Sequence, residues 1–177
     1  MHELREILSV RLKDHQLVPA FLDDQERLVE SCQGLVVFDE GSGILRFTHY
    51  TVQEFLQEHC RKLLLSEVDL AKLCLTFLTF RVFEKPCMDE DSIVRRLETH
   101  RFTGYAIRFW GSYTRGAGED DPDILEMLLT ILKSSERRAA LRQLELFEEF
   151  GDRWRRDNML LLQNWTMSHV IAWHGLA

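Results

Sequence analysis

The stretch from Ser66 to Leu78 constrains this chain most. Ser66 and Asp69, three residues apart, form a helix-start pattern in which hydroxyl and carboxylate can each satisfy an orphan backbone N–H. Leu70, Leu73, Cys74, Phe77 and Leu78 then make the helix apolar over most of its circumference, so it must be buried on several sides. Lys72, Thr76, Thr79 and Arg81 interrupt the apolar run from Leu70 to Val82, which therefore falls short of the roughly 20 residues that cross a bilayer.

A helix of that kind needs neighbours, and the chain supplies them. His2 to Leu12 reads as a short helix through Leu4, Ile7, Leu8 and Leu12, and its abrupt start at Met1 implies that the chain begins inside a larger domain. Asp23 to Cys32 reads as a second helix with Leu28 and Val29 inward, closed by Gly34. After Pro86, Ile93, Val94 and Leu97 mark one helical segment. Phe102, Tyr105, Ala106, Phe109, Trp110 and Tyr113 form an aromatic-rich stripe on the next. That spacing favours a helical core over an exposed partner surface. Asp121-Pro122 predicts a helix carrying Ile124, Leu125, Leu128, Leu129 and Leu132, and Ser134 or Ser135 caps another that runs to Gly151.

One hairpin interrupts the helices. Leu35–Phe38 and Ile44–Phe47 flank Asp39-Glu40-Gly41-Ser42-Gly43, where glycines are available for positive φ. Two helices followed by a hairpin is winged-helix order, and in DNA-reading members the helix before the hairpin enters the major groove. Here that helix carries Asp23, Asp24, Glu26 and Glu30 against Arg27 alone. The chain as a whole has 22 Lys and Arg against 29 Asp and Glu, a net charge of -7 that repels phosphate backbones. A nucleic-acid-binding winged helix is therefore the competing reading, and absence of a salt-dependent DNA shift would remove it.

After the hairpin, Thr51 and Glu54 form a capping-box pattern, and the expected inward stripe is Val52, Phe55, Leu56, His59, Cys60, Leu63 and Leu64.

Several blocks resemble the segment that follows the nucleotide-binding core in fungal-type NACHT-ankyrin STAND proteins. They are Glu3-Leu4-Arg5-Glu6, Gly34-Leu35-Val36, Phe47-Thr48-His49-Tyr50-Thr51-Val52-Gln53-Glu54-Phe55-Leu56 and Gly104-Tyr105-Ala106-Ile107-Arg108-Phe109-Trp110-Gly111. The end, Thr166 to Gly175, resembles the start of an ankyrin repeat. Thr166, His169, Ala172 and Gly175 fit its pattern, whereas Met167, Ser168 and Ile171 depart from it. The resemblance implies a mainly α fold: a winged-helix remnant with a small β-hairpin over 1–62, a helical domain over 63–165 and an ankyrin-like start over 166–177. It implies a cytoplasmic, non-catalytic connector whose partners are adjacent NACHT and ankyrin modules or other proteins, with no nucleic acid and no membrane. The helix from Thr51 is the expected shared strut. No GxxxxGK[ST] phosphate loop occurs in the chain, so no cofactor is expected in it, and the ADP or ATP of the full-length family would be held upstream.

In the wider STAND class a histidine just after the winged-helix hairpin contacts bound ADP, and His49 occupies that place. An imidazole at a helix N-terminus suits a phosphate that orphan N–H groups already favour. The class usually reads Met-His-Asp where this chain reads Thr48-His49-Tyr50. Capping or packing at the hairpin–helix junction is the equally weighted alternative.

Other candidates have plainer explanations. Cys32, Cys60, Cys74 and Cys87 lack metal-type spacing and read as reduced thiols. His59 and Cys60 are helix neighbours that point about 100° apart, which disfavours a nucleophile–base pair. His169 and His174 read as core or surface residues. The acids at 89–91 and 119–121 read as helix caps. Arg153, Arg155 and Arg156 around Trp154 read as a solvated helix face flanked by Asp152 and Asp157.

Overall fold

The computed structural model describes residues 1–11, 14–17, 24–151 and 165–176. Within them the chain is mainly helical with one two-stranded antiparallel hairpin. The order is α1 (His2–Ser9), α2 (Gln25–Ser31), β1 (Val36–Asp39), β2 (Ile44–Phe47) and α3 (Tyr50–His59). There follow α4 (Glu67–Leu78), α5 (Glu90–Thr99), α6 (Thr103–Thr114), α7 (Pro122–Lys133), α8 (Ser135–Phe150) and α9 (Met167–His174).

Most helix starts are local events. Ser66 and Asp69 cap α4 reciprocally, with Asp69 N–H donating to Ser66 Oγ and Ser66 N–H to Asp69 Oδ2. Asp89 and Ser92 do the same for α5. Asp121 Oδ1 accepts from the N–H groups of Asp123 and Ile124 ahead of Pro122 in α7, and Ser134 caps α8. Lys72 of α4 reaches both Asp121 and Asp123 at 2.9 Å, which ties the α7 start to α4.

The core lies between α4 and α6, closed by α5, α7 and α8. Phe77 is its centre, with Phe80, Phe83 and Phe102 at ring-centroid distances of 5.3, 5.3 and 5.1 Å. Phe102, Ala106 and Trp110 are buried, as their spacing predicts, whereas Tyr105, Phe109 and Tyr113 of the same stripe are only half-buried. The acidic clusters at 89–91 and 119–121 supply caps, again as expected.

The hairpin forms with Val36 opposite Phe47 and Asp39 opposite Ile44, and Gly34 and Gly43 take the positive φ values that its entry and turn require. Beyond it the expectations need correction. The helix starts at Tyr50, one residue before Thr51, and its cap is His49, whose ring nitrogen accepts the Thr51 N–H in place of a Thr51–Glu54 box. None of α3 is buried, and Phe55 is 56% and Leu63 83% exposed, so the expected inward stripe has no core to face within these residues. In α1 the buried residues are Glu6 and Ser9, whereas Leu8 is exposed. The first two helices are also shorter than expected, and Leu12 and Asp23 lie outside the described residues.

No helix among the described residues is long and apolar enough to cross a membrane. All four cysteines are free thiols, and burial pushes the Cys74 thiol up to about 12.

Candidate functional site

Helix α6 begins without a cap of its own. Phe102 stands at the N-cap position and has no side-chain acceptor. The acceptor comes instead from α1: Glu6 Oε1 takes the Arg101 N–H at 3.0 Å and Oε2 the Phe102 N–H at 2.7 Å. A carboxylate at a helix start meets both the orphan donors and the positive end of the helix dipole. Burial raises the Glu6 pKa, opposed by the two backbone bonds. This contact crosses 95 residues of sequence and ties the first helix to the helical array.

The far half of α6 receives α9. Gly111 is buried, and a Cβ there would lie 2.8 Å from Cγ and 2.9 Å from Cβ of His174, so only glycine admits the imidazole. The His174 ring packs on Trp110 with centroids 4.0 Å apart, while its Nε2 meets Glu145 Oε1 of α8 at 3.0 Å. Glu145 Oε2 pairs with Arg142 at 3.2 Å. The Arg142 guanidinium lies 4.4 Å from the Trp165 ring and 4.6 Å from the Trp173 ring, a cation held between two indoles. Arg138 Nε donates to the Trp165 carbonyl at 3.1 Å, holding the entry to α9. Within α9, Thr166 and His169 cap reciprocally, and Gly175 closes the helix in the left-handed region.

Helix α6 is therefore gripped at both ends, by Glu6 of the first helix and by His174 of the last. At 12 residues it spans about 18 Å. The Gly104…Gly111 block makes physical sense in this light. Gly111 seats His174, and a Cβ at Gly104 would crowd the Glu148 carboxylate at 3.1 Å.

The structure places His49 at the head of α3, exposed. Its Nδ1 accepts the Thr51 N–H at 3.2 Å with the Thr51 hydroxyl 2.9 Å away, which leaves the ring proton on Nε2. Its ring lies 4.5 Å from that of Tyr50. His59 stacks on Phe55 at 4.9 Å. His169 and His174 are spent on the cap and on Glu145. No group of three or more His, Cys, Asp or Glu able to hold a metal occurs among the described residues. Arg153, Trp154, Arg155 and Arg156 lie outside those residues.

A cleft of about 570 Å³ opens beside α4 and α7. Its walls are already engaged: Thr76 donates to Met127 Sδ, Thr79 to the Thr76 carbonyl, and Arg137 to the Thr79 and Phe80 carbonyls and Glu84. The α6 grip was not legible in the sequence: the missing local cap of α6 bears on it, but Glu6 falls outside the apolar stripe expected for α1. No family model, curated protein or solved structure matches the chain.

Proposed function

We propose that this chain is a non-catalytic connector that couples a STAND-type NACHT nucleotide-binding module to a ligand-sensing ankyrin array. The carrying observation is the uncovered apolar surface of the hairpin and α3, where Leu35, Val37, Ile44, Phe47, Tyr50, Phe55, Leu63, Leu64 and Leu65 are all exposed. Single exposed apolar residues are ordinary, but this many along one segment mark an interface. A neighbouring module preceding this chain would cover that surface. The grip on α6 joins α1 to the C-terminal helix, which carries the ankyrin-like residues Thr166, His169, Ala172 and Gly175.

His49 is the proposed nucleotide sensor in that setting, with ADP or ATP held by the neighbouring module. With Nδ1 committed to the α3 cap, the ring is oriented and Nε2–H remains as a donor for an anionic oxygen. The test uses a longer protein in which this sequence follows the nucleotide-binding module, with fluorescent ADP bound. His49→Ala is expected to speed ADP release about tenfold, the effect of losing one bond to a charged group. An unchanged release rate would sink the sensor role.

A further inference from the structure

Helix α9 has eight residues and buries one of them, Val170, while Trp173 is 56% exposed. Isolated helices of this length are not stable in water, so α9 is helical because it is seated. The seat differs in kind from the α4–α6 interface, where Phe77, Phe102 and Trp110 are 0–2% exposed and cannot separate without opening the core. It consists of one buried side chain, Val170, with one glycine gap, one imidazole–carboxylate bond, one cation beside two indoles and the Arg138 bond to the Trp165 carbonyl.

We infer that α9 is a releasable latch over the α6–α8 seam, with Gly111 as its seat and His174 as its bolt. Release strands no charge, because Glu145 keeps Arg142 as its partner at 3.2 Å when His174 leaves. It breaks no cap, because Thr166 and His169 satisfy each other within the departing helix. What it uncovers is the Gly111 floor, one face of Trp110 and the apolar site that Val170 fills. The docked state closes the seam, and the released state presents it. The contacts that make the latch all lie within this chain.

Amide hydrogen exchange of the chain at neutral pH tests this. In the unmodified protein Val170 to His174 should exchange at least about thirtyfold faster than Cys74 to Leu78, as a sub-global opening requires. Gly111→Ala puts a methyl group where His174 sits while giving α6 a better helix former. It should speed α9 exchange a further tenfold or so and leave α4 within about twofold. Trp173→Ala, at a half-exposed site, should act in the same direction without threatening the core. If α9 exchanges in step with α4 in the unmodified chain, or if both variants lower α4 and α9 protection by a common factor, α9 is part of the core and the latch is wrong.

Discussion

Glu6→Ala probes the N-terminal grip on α6. The change removes two hydrogen bonds from a carboxylate that is 7% exposed, at 3.0 and 2.7 Å. Bonds to charged groups contribute about 1.5–3 kcal/mol each, and a buried N–H left without a partner costs about 1–3 kcal/mol. Against these stands the several-kcal/mol cost of holding a carboxylate away from water. The net expected loss is about 2–4 kcal/mol, at the upper end of losses from removing a helix cap. With a urea slope of about 2 kcal/mol per molar, the unfolding midpoint should fall by about 1–2 M. Amide exchange should localise the effect to Arg101, Phe102 and the first turn of α6. Glu6→Gln keeps one acceptor and removes the buried charge, so it should recover more than half of the loss. A midpoint within about 0.2 M of the unmodified protein for Glu6→Ala would refute the capping argument.

Three further outcomes follow from the same structure. Gln143 is fully buried and its amide both accepts from Cys87 N–H at 2.6 Å and donates to Cys87 O at 2.9 Å, so Gln143→Leu should cost about 2–4 kcal/mol in a denaturant titration by stranding both backbone groups. A thiol reagent at pH 8 should modify Cys32 and Cys60 and spare Cys74 and Cys87 until unfolding, because burial raises both of the latter thiols, Cys74 to about 12. Hydrogen bonds from Ser66 to Asp69 and from Lys72 to Asp121 hold these carboxyls below their usual range. Their stabilisation is present above about pH 4 and is lost as pH falls through the folded values. The raised Glu6 pKa acts oppositely, its contribution declining as pH rises above 4.5, so thermal melts should show Glu6→Gln comparing better with the unmodified chain at pH 7 than at pH 4.

What the sequence revealed was whatever is settled within a few residues. Ser66, Asp89, Asp121 and Ser134 announce their helices because cap and capped N–H groups lie within one turn. The hairpin is equally local, being set by its glycines and β-branched flanks. The α6 cap is hidden because its acceptor is supplied from 95 residues away. Helix α3 shows the limit of periodicity: its three–four spacing identifies an amphipathic helix, but spacing carries no information about whether the facing surface belongs to the same chain. Thr51 looks like the better cap by residue type, yet His49, with extended backbone and a ring nitrogen in reach of Thr51 N–H, takes the position. Gly111 reads as an ordinary small residue in a helix until the imidazole that fills its gap is seen.

The coupling claim is tested most directly by the rate of fluorescent ADP release from a longer protein in which this sequence follows the nucleotide-binding module, comparing the unmodified form with Gly111→Ala. Displacing α9 leaves the nucleotide module and His49 unaltered in sequence, so a change in release rate reports coupling between α9 and the bound nucleotide. Coupling energies between sites run at about 1–3 kcal/mol, and the connector account predicts a change in release rate of roughly fivefold or more. Equal release rates in the two proteins, with α9 shown to be displaced, would contradict it.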